Sequence, residues 1–94
     1  MPFGKSNKQN GRPQHPLSSI REKENLGQDE LSIIIGTSVN MISQVENDHS
    51  QLPFKNLYAL SEVYDLDIEE YKKEVKDFQY KMRDYLLSLY NSDN

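Results

Sequence analysis

Hydrophobic residues recur at three- and four-residue spacing from Leu17 onward, in short units separated by glycine, asparagine, aspartate or proline. Such units predict short amphipathic helices with turns between them. The first unit contains Leu17 and Ile20 and ends near Asn25, a residue type that tolerates the left-handed conformation common at helix ends.

The second unit, QDELSIII, covers Gln28 to Ile35 and is open to two interpretations. Three consecutive isoleucines favour a β-strand on propensity alone. Gly27 is an acceptable N-cap, Glu30 is placed to complete a capping box, and Gly36 is a strong stop signal. These end signals, together with helical units on both sides, favour a helix of about two turns.

Two further helices follow. Ser38 is placed to cap a helix over Val39–Glu46, with Ile42 and Val45 facing inward, and Asn47-Asp48 ends it. The fourth helix begins at Phe54 and ends at Asp65, with three residues on one face: Leu57, Leu60 and Tyr64.

The most regular pattern belongs to a fifth helix, capped by Asp67. Its apolar residues are spaced alternately by three and four, as in a heptad repeat: Ile68, Tyr71, Val75, Phe78, Met82, Tyr85 and Leu89. A helix of roughly 22 residues would extend about 33 Å, beyond a four-helix body of this size. We expect this seam to be a self-association surface; the alternative is that the helix folds back and the seam is internal core.

These patterns predict an all-α fold of five helices in three parts. Residues 1–16 form a flexible basic arm, residues 17–67 a compact helical domain, and residues 68–94 the heptad-patterned helix. The arm is rich in proline, glycine and amide residues, contains Lys5, Lys8 and Arg12, and lacks acidic residues. The alternative for the arm is a solvated tail without function.

Composition excludes several classes of function. The chain has no cysteine, and His15 and His49 are its only histidines, so neither a disulfide framework nor a metal site is expected. The sequence contains neither a Ser-His-Asp arrangement nor a phosphate-binding glycine loop, so we expect neither an enzyme nor a cofactor. No apolar run is long enough to span a membrane, and we expect a soluble, cytoplasmic protein.

Gly36 joins the second and third helices by a tight turn, which is a helix-turn-helix arrangement. The outward face of the third helix carries Val39, Asn40, Ser43 and Gln44. The stretch from Ile20 to Tyr71 resembles the helix-turn-helix domain of the Cro/C1 repressor class, the XRE family. The resemblance rests on ordered spacing of these residues: Leu26, Gln28, Glu30-Leu31, Gly36, Ser38, Ile42-Ser43, Glu46-Asn47, Leu57, Leu60, Leu66 and Ile68.

The resemblance implies binding to specific double-stranded DNA. Val39, Asn40 and Gln44 fall where the family contacts bases, with Ser43 beside them, and Gln28 falls where it bonds a phosphate. Asparagine and glutamine can pair bidentately with adenine and valine can contact a thymine methyl, so we expect A·T-rich half-sites. Expected backbone contacts come from Gln28, Ser38, Asn47, His49, Lys55, Arg21 and Lys23, with Lys5, Lys8 and Arg12 of the arm.

The chain also departs from the family pattern. Ile33 and Ile34 occupy positions that are commonly charged, and we expect a neighbouring helix to cover them; the alternative is an exposed docking site. The net charge is −4, and the third helix carries no Lys or Arg. We expect a dimeric or higher homo-oligomeric repressor. The alternative is a protein-interaction module, such as an antitoxin or antirepressor, that binds another regulatory protein through the fifth helix.

Overall fold

The computed structural model describes residues 11–92, which contain five α-helices and no strand. The helices are α1 Pro16–Lys23, α2 Gln28–Ile35, α3 Val39–Glu46, α4 Phe54–Tyr64 and α5 Ile68–Ser92. The all-α prediction is confirmed, including the helix predicted at QDELSIII in preference to a strand.

Hydrogen bonds at the helix starts explain why the helices begin where they do. The Glu30 carboxylate accepts from the Gly27 backbone N–H at 2.7 Å, which is one half of a capping box. The Ser38 hydroxyl accepts from the Met41 N–H at 3.0 Å at the start of α3. The Asp67 carboxylate accepts from the Glu70 N–H at 3.0 Å and caps α5.

Left-handed residues follow four of the helices. Gly36 ends α2 with φ of 74°, a conformation that costs glycine little because it has no Cβ. Asn25, Asp48 and Asp65 take φ of 60°, 60° and 51° after α1, α3 and α4. Asparagine and aspartate are the residue types that tolerate this region best after glycine.

The core draws on every helix. It consists of buried apolar side chains at Leu17, Leu31, Ile35, Ile42, Val45, Leu57, Leu60 and Tyr71. Asn56 is buried among them, and its amide donates to the carbonyls of Ile35 at 2.8 Å and Gly36 at 3.2 Å. Since carbonyls at a helix C-terminus lack intrahelical partners, Asn56 satisfies the end of α2 and ties α4 to the turn before α3.

The first half of α5 packs against this core, which corrects the prediction for part of its seam. Tyr71 and Phe78 are buried within the single chain, and Ile68 and Val75 are partly covered. These residues face α1 and α4, so the alternative of internal core holds for this half of the seam. A partner chain is needed at most by the distal turns.

The predicted arm boundary is also wrong, because the fold begins before residue 17. His15 and Pro16 are buried, and the His15 ring lies edge-on to Phe78 with ring centroids 5.0 Å apart. The Arg12 guanidinium lies 6.0 Å from the centre of the Tyr85 ring. The segment from Arg12 to Pro16 therefore lies along α5, whereas Lys5 and Lys8 lie outside the described residues.

His15 is the N-cap of α1. Its Nδ1 accepts from the Leu17 N–H at 3.0 Å, and this acceptor role places the ring proton of the neutral side chain on Nε2. Burial lowers the pKa of His15 below its ordinary value of 6.5, although the charges of Asp48 and Glu46 partly oppose the shift. The cap therefore requires the neutral imidazole.

We expect the free energy of unfolding to fall as the pH drops below 6.5. There the unfolded chain binds a proton at His15 that the folded chain resists, so acid favours unfolding. His15→Asn keeps a capping side chain and should flatten this part of the profile, measured by urea unfolding between about pH 7.5 and 5. His49→Asn removes an exposed histidine and serves as the control; an unchanged profile in His15→Asn would contradict the assignment.

Candidate nucleic-acid interface

The third helix is fixed by its inner face and open on its outer face. Ile42 and Val45 are buried against the core, while Val39 is 44% exposed and Asn40 is also exposed. The neighbours of α3 are α2, across the Gly36 turn, and α1. The two-helix unit thus presents the N-terminal part of α3 to the outside, as a helix-turn-helix requires.

Ser43 and Gln44 lie one turn along on the same side and are half-buried. Within residues 11–92, no hydrogen bond engages the side-chain amides of Asn40 or Gln44. The structure therefore places Val39, Asn40, Ser43 and Gln44 together on an accessible surface of α3, which we call the α3 face.

Behind the α3 face, a charged network joins the first three helices. The Glu46 carboxylate accepts from Arg21 Nε at 2.7 Å and from Arg21 Nη2 at 3.1 Å. It also accepts from Gln28 Nε2 at 2.9 Å. Arg21 Nη1 donates to the Leu26 carbonyl at 3.0 Å, so the guanidinium bridges α1, the following turn and α3.

The network keeps Glu46 ionised. Burial by itself would raise the pKa of Glu46, but hydrogen bonds from Arg21 and Gln28 and the Arg21 charge outweigh burial and lower the pKa below 4.5. The side chains are only 17% and 7% exposed for Arg21 and Glu46, respectively. Glu46 is therefore a neutralised charge rather than an acidic group facing a ligand.

The same contacts bear on the phosphate contact expected from Arg21, which stays a prediction. In the free protein its donor groups bind Glu46 and Leu26, so a phosphate contact from Arg21 would compete with these bonds. Gln28 likewise donates to Glu46. The sequence contains a signal for this ion pair. Arg21 is four residues after Leu17 and Glu46 is four residues after Ile42, so each charge lies on the inward face of its own helix.

The other expected backbone contacts are exposed in the free chain. Ser38 and Asn47 cap the two ends of α3, with the Asn47 amide donating to the Ser43 carbonyl at 2.9 Å. His49, Lys23 and Lys55 are exposed. Their contact with the DNA backbone stays a prediction.

Ile33 and Ile34 are not covered by a neighbouring helix. Ile33 is 80% exposed and Ile34 39% exposed, so the expectation of a covering helix is wrong. The core-facing side of α2 is filled by Leu31, Ser32 and Ile35, which leaves positions 33 and 34 on its outer side. An exposed apolar pair on α2 is the result.

The helix-turn-helix family model matches residues 17–71, which cover α1 from its second residue, all of α2 to α4 and the start of α5. The chain belongs to the helix-turn-helix family of Cro/C1 (XRE) type. No match was found among curated proteins or among solved structures.

Membership makes the chain a DNA-binding regulator of the helix-turn-helix class, a family typically without catalytic activity. The matched residues include the α3 face, the Gly36 turn and the Arg21–Glu46 network. Among the helices of residues 11–92, none combines the length and apolar character that crossing a bilayer requires.

Proposed function

We propose that this helix-turn-helix protein is a dimeric repressor that binds an operator through the α3 face. The observation that carries the proposal is the accessibility of Val39 and Asn40 on a helix whose opposite side is anchored in the core. A helix held in this way can enter a major groove without rearranging the domain.

The side chains of the α3 face favour A·T base pairs. Asn40 and Gln44 each offer an amide that can accept from adenine N6 and donate to adenine N7, and Val39 can pack on a thymine methyl. Each bidentate pair discriminates by about 1 to 3 kcal/mol. No lysine or arginine lies on α3, so base contacts rather than charge account for most of its specificity.

Phosphate attraction must come from elsewhere in the chain. Residues 1–16 carry Lys5, Lys8 and Arg12 with no acid, whereas the remainder of the chain is acidic. We propose that Lys5 and Lys8 contact phosphates or a minor groove beside α3. Lys23 and Lys55, both exposed, supply further positive charge.

Lys5→Gln combined with Lys8→Gln should weaken DNA binding and flatten its salt dependence. Each lost phosphate contact reduces the slope of log K against log salt by about 0.9, so the pair lowers it by up to about 2. Fluorescence anisotropy across a salt series measures the slope. Lys73→Gln with Lys81→Gln removes the same charge from exposed α5 positions and should leave the slope unchanged; equal slopes in all three proteins would reject the role of the arm.

Dimerisation is proposed for the distal turns of α5. Four apolar residues there are about half exposed or more: Leu86, Leu87, Leu89 and Tyr90. The 25-residue helix is about 37 Å long at 1.5 Å per residue, and only its first half packs on the core. Pairing two copies through these turns would remove the apolar surface from water and produce a two-fold regulator.

Leu86→Glu combined with Tyr90→Glu should convert the dimer to a monomer, because each carboxylate would be buried without a partner. Light scattering coupled to size-exclusion chromatography measures the mass. Tyr80→Glu alters another exposed aromatic of α5 and should leave the dimer intact. A wild-type monomer at high micromolar concentration would contradict the proposed interface.

A gel shift on the DNA flanking the protein's own coding region tests the function as a whole. Repressors of this size commonly act by steric exclusion, and the described residues contain no separate effector domain. We expect a discrete complex that survives an excess of random duplex. If random duplex competed for the protein as effectively as the flanking DNA itself, operator recognition would be contradicted.

The alternative function is a protein-interaction module, favoured by the exposed apolar residues of distal α5 and of α2. A clean monomer that shows no DNA specificity would support a different protein as the partner of these surfaces. A dimer with a specific DNA complex would reject that alternative.

A further inference from the structure

A cleft of about 340 Å³ lies between the loop after α3 and the first half of α5. Its volume falls at the lower end of the roughly 300 to 1,000 Å³ found for small-molecule pockets. Apolar side chains from α3, the following loop, α4 and α5 line it: Val45, Leu52, Leu57 and Val75. Val45 and Leu57 are buried, whereas Leu52 and Val75 are partly open to solvent.

Two buried polar groups in the cleft lining have no hydrogen-bond acceptor among the residues that the structure describes. His15 is 3% exposed and Tyr71 4% exposed, and both line the cleft. Within residues 11–92, neither the His15 Nε2–H nor the Tyr71 hydroxyl makes a hydrogen bond. Buried donors are almost always satisfied in folded proteins, so a water or a ligand oxygen is the expected acceptor beside these groups.

Two lysines lie at the mouth of the cleft. Lys72 and Lys76 are one helical turn apart on α5, are exposed, and line the cleft. The acidic residue in the lining is Asp48, whose carboxylate accepts from Gln79 Nε2 at 2.9 Å. The mouth therefore favours an anionic group on a molecule that enters.

We propose that this cleft binds a small, mostly apolar carboxylic acid that carries a second oxygen acceptor. The apolar body packs on Val45, Leu57 and Val75, and the carboxylate lies near Lys72 and Lys76. The second oxygen accepts from the Tyr71 hydroxyl. The cleft is on the inner side of α3, so its occupancy does not depend on whether the α3 face binds DNA.

The binding test uses the full chain and three related probes. The first is 3-benzoylpropionate, which has an aryl ring, a ketone oxygen and a carboxylate. The second, 4-phenylbutyrate, lacks the ketone oxygen, and the third, the methyl ester of 3-benzoylpropionate, lacks the charge. Binding is followed by amide chemical-shift changes in ¹H–¹⁵N NMR titrations.

We expect saturable shifts at Val45, Leu52 and Val75 with 3-benzoylpropionate, at a Kd of roughly 1 mM for a ligand of this size. Each of the other two probes should bind at least about 3-fold more weakly, because each loses one polar contact. Shifts that do not saturate, or that occur away from the cleft, would overturn the proposal. A titration in which no probe shifts the cleft residues, so that only water occupies the cleft, would also overturn the proposal.

Variants separate the two polar contacts. Lys72→Gln with Lys76→Gln should weaken the binding of 3-benzoylpropionate to the level seen for its methyl ester. Lys73→Gln with Lys81→Gln should leave the Kd of 3-benzoylpropionate unchanged. Tyr71→Phe retains the buried ring and should abolish the preference for 3-benzoylpropionate over 4-phenylbutyrate. Equal Kd values in the two lysine double variants would contradict the site.

Discussion

Asn40→Ala combined with Gln44→Ala should remove most specific DNA binding, by about 2 to 6 kcal/mol, while the affinity for random duplex should stay nearly constant. The two amides account for two proposed bidentate base contacts worth about 1 to 3 kcal/mol each. Non-specific affinity depends on phosphate neutralisation, which these neutral side chains do not supply. Competition binding with an operator duplex and a random duplex at one salt concentration measures both quantities.

The matched control for this pair is Asn47→Ala, which removes an exposed amide at the other end of α3. Asn47 donates to the Ser43 carbonyl, so its loss should lower the stability of the protein slightly. The affinity for both duplexes should fall to a similar extent. If the Asn40→Ala, Gln44→Ala protein also lost affinity for both duplexes equally, base contact by the α3 face would be rejected.

Glu46→Ala should reduce the free energy of unfolding by about 3 kcal/mol. The substitution leaves the nearly buried Arg21 guanidinium without its carboxylate and removes the acceptor of Gln28. Urea unfolding at neutral pH measures the loss. Asp77→Ala breaks the Lys81–Asp77 pair at 3.0 Å, whose side chains are 67% and 61% exposed, and should change stability by less than about 1 kcal/mol.

The stability difference between wild type and Glu46→Ala should also depend on pH. The folded state lowers the pKa of Glu46 below 4.5, so the stabilisation is fully present above that pH. As the pH falls through the lower folded-state pKa, the carboxylate is protonated and its stabilising contribution is lost. The two proteins should therefore converge in stability in acid; a constant difference from pH 7 to pH 2.5 would contradict a charged network.

The helix positions could be predicted from the sequence because end signals are local. Ser38 and Asp67 each accept a hydrogen bond from a backbone N–H three residues later, and Gly36 takes the left-handed conformation that ends α2. These effects are local, so they do not depend on the rest of the fold. The same holds for the left-handed Asn25 and Asp65. The α3 face also follows from helical periodicity, once Ile42 and Val45 are assigned to the core.

Features that depend on distant contacts were harder to predict. Pro16 at the first helical position does indicate that α1 begins there, with His15 as its cap. The packing of that histidine on Phe78, 63 residues later, has no local sequence signal. The coverage of half the α5 seam and the exposure of Ile33 depend likewise on how five helices share one small core.

In vitro selection of duplexes from a random library, with the 94-residue chain, tests the central claim most directly. Contact between the α3 face and base edges predicts enrichment of A·T-rich half-sites arranged as a near-palindrome about one helical turn, roughly 34 Å, apart. Gln44→Ala should relax one position in each half-site while the spacing persists. A library with no enriched sequence, or an identical motif from wild type and the Asn40→Ala, Gln44→Ala protein, would contradict the claim.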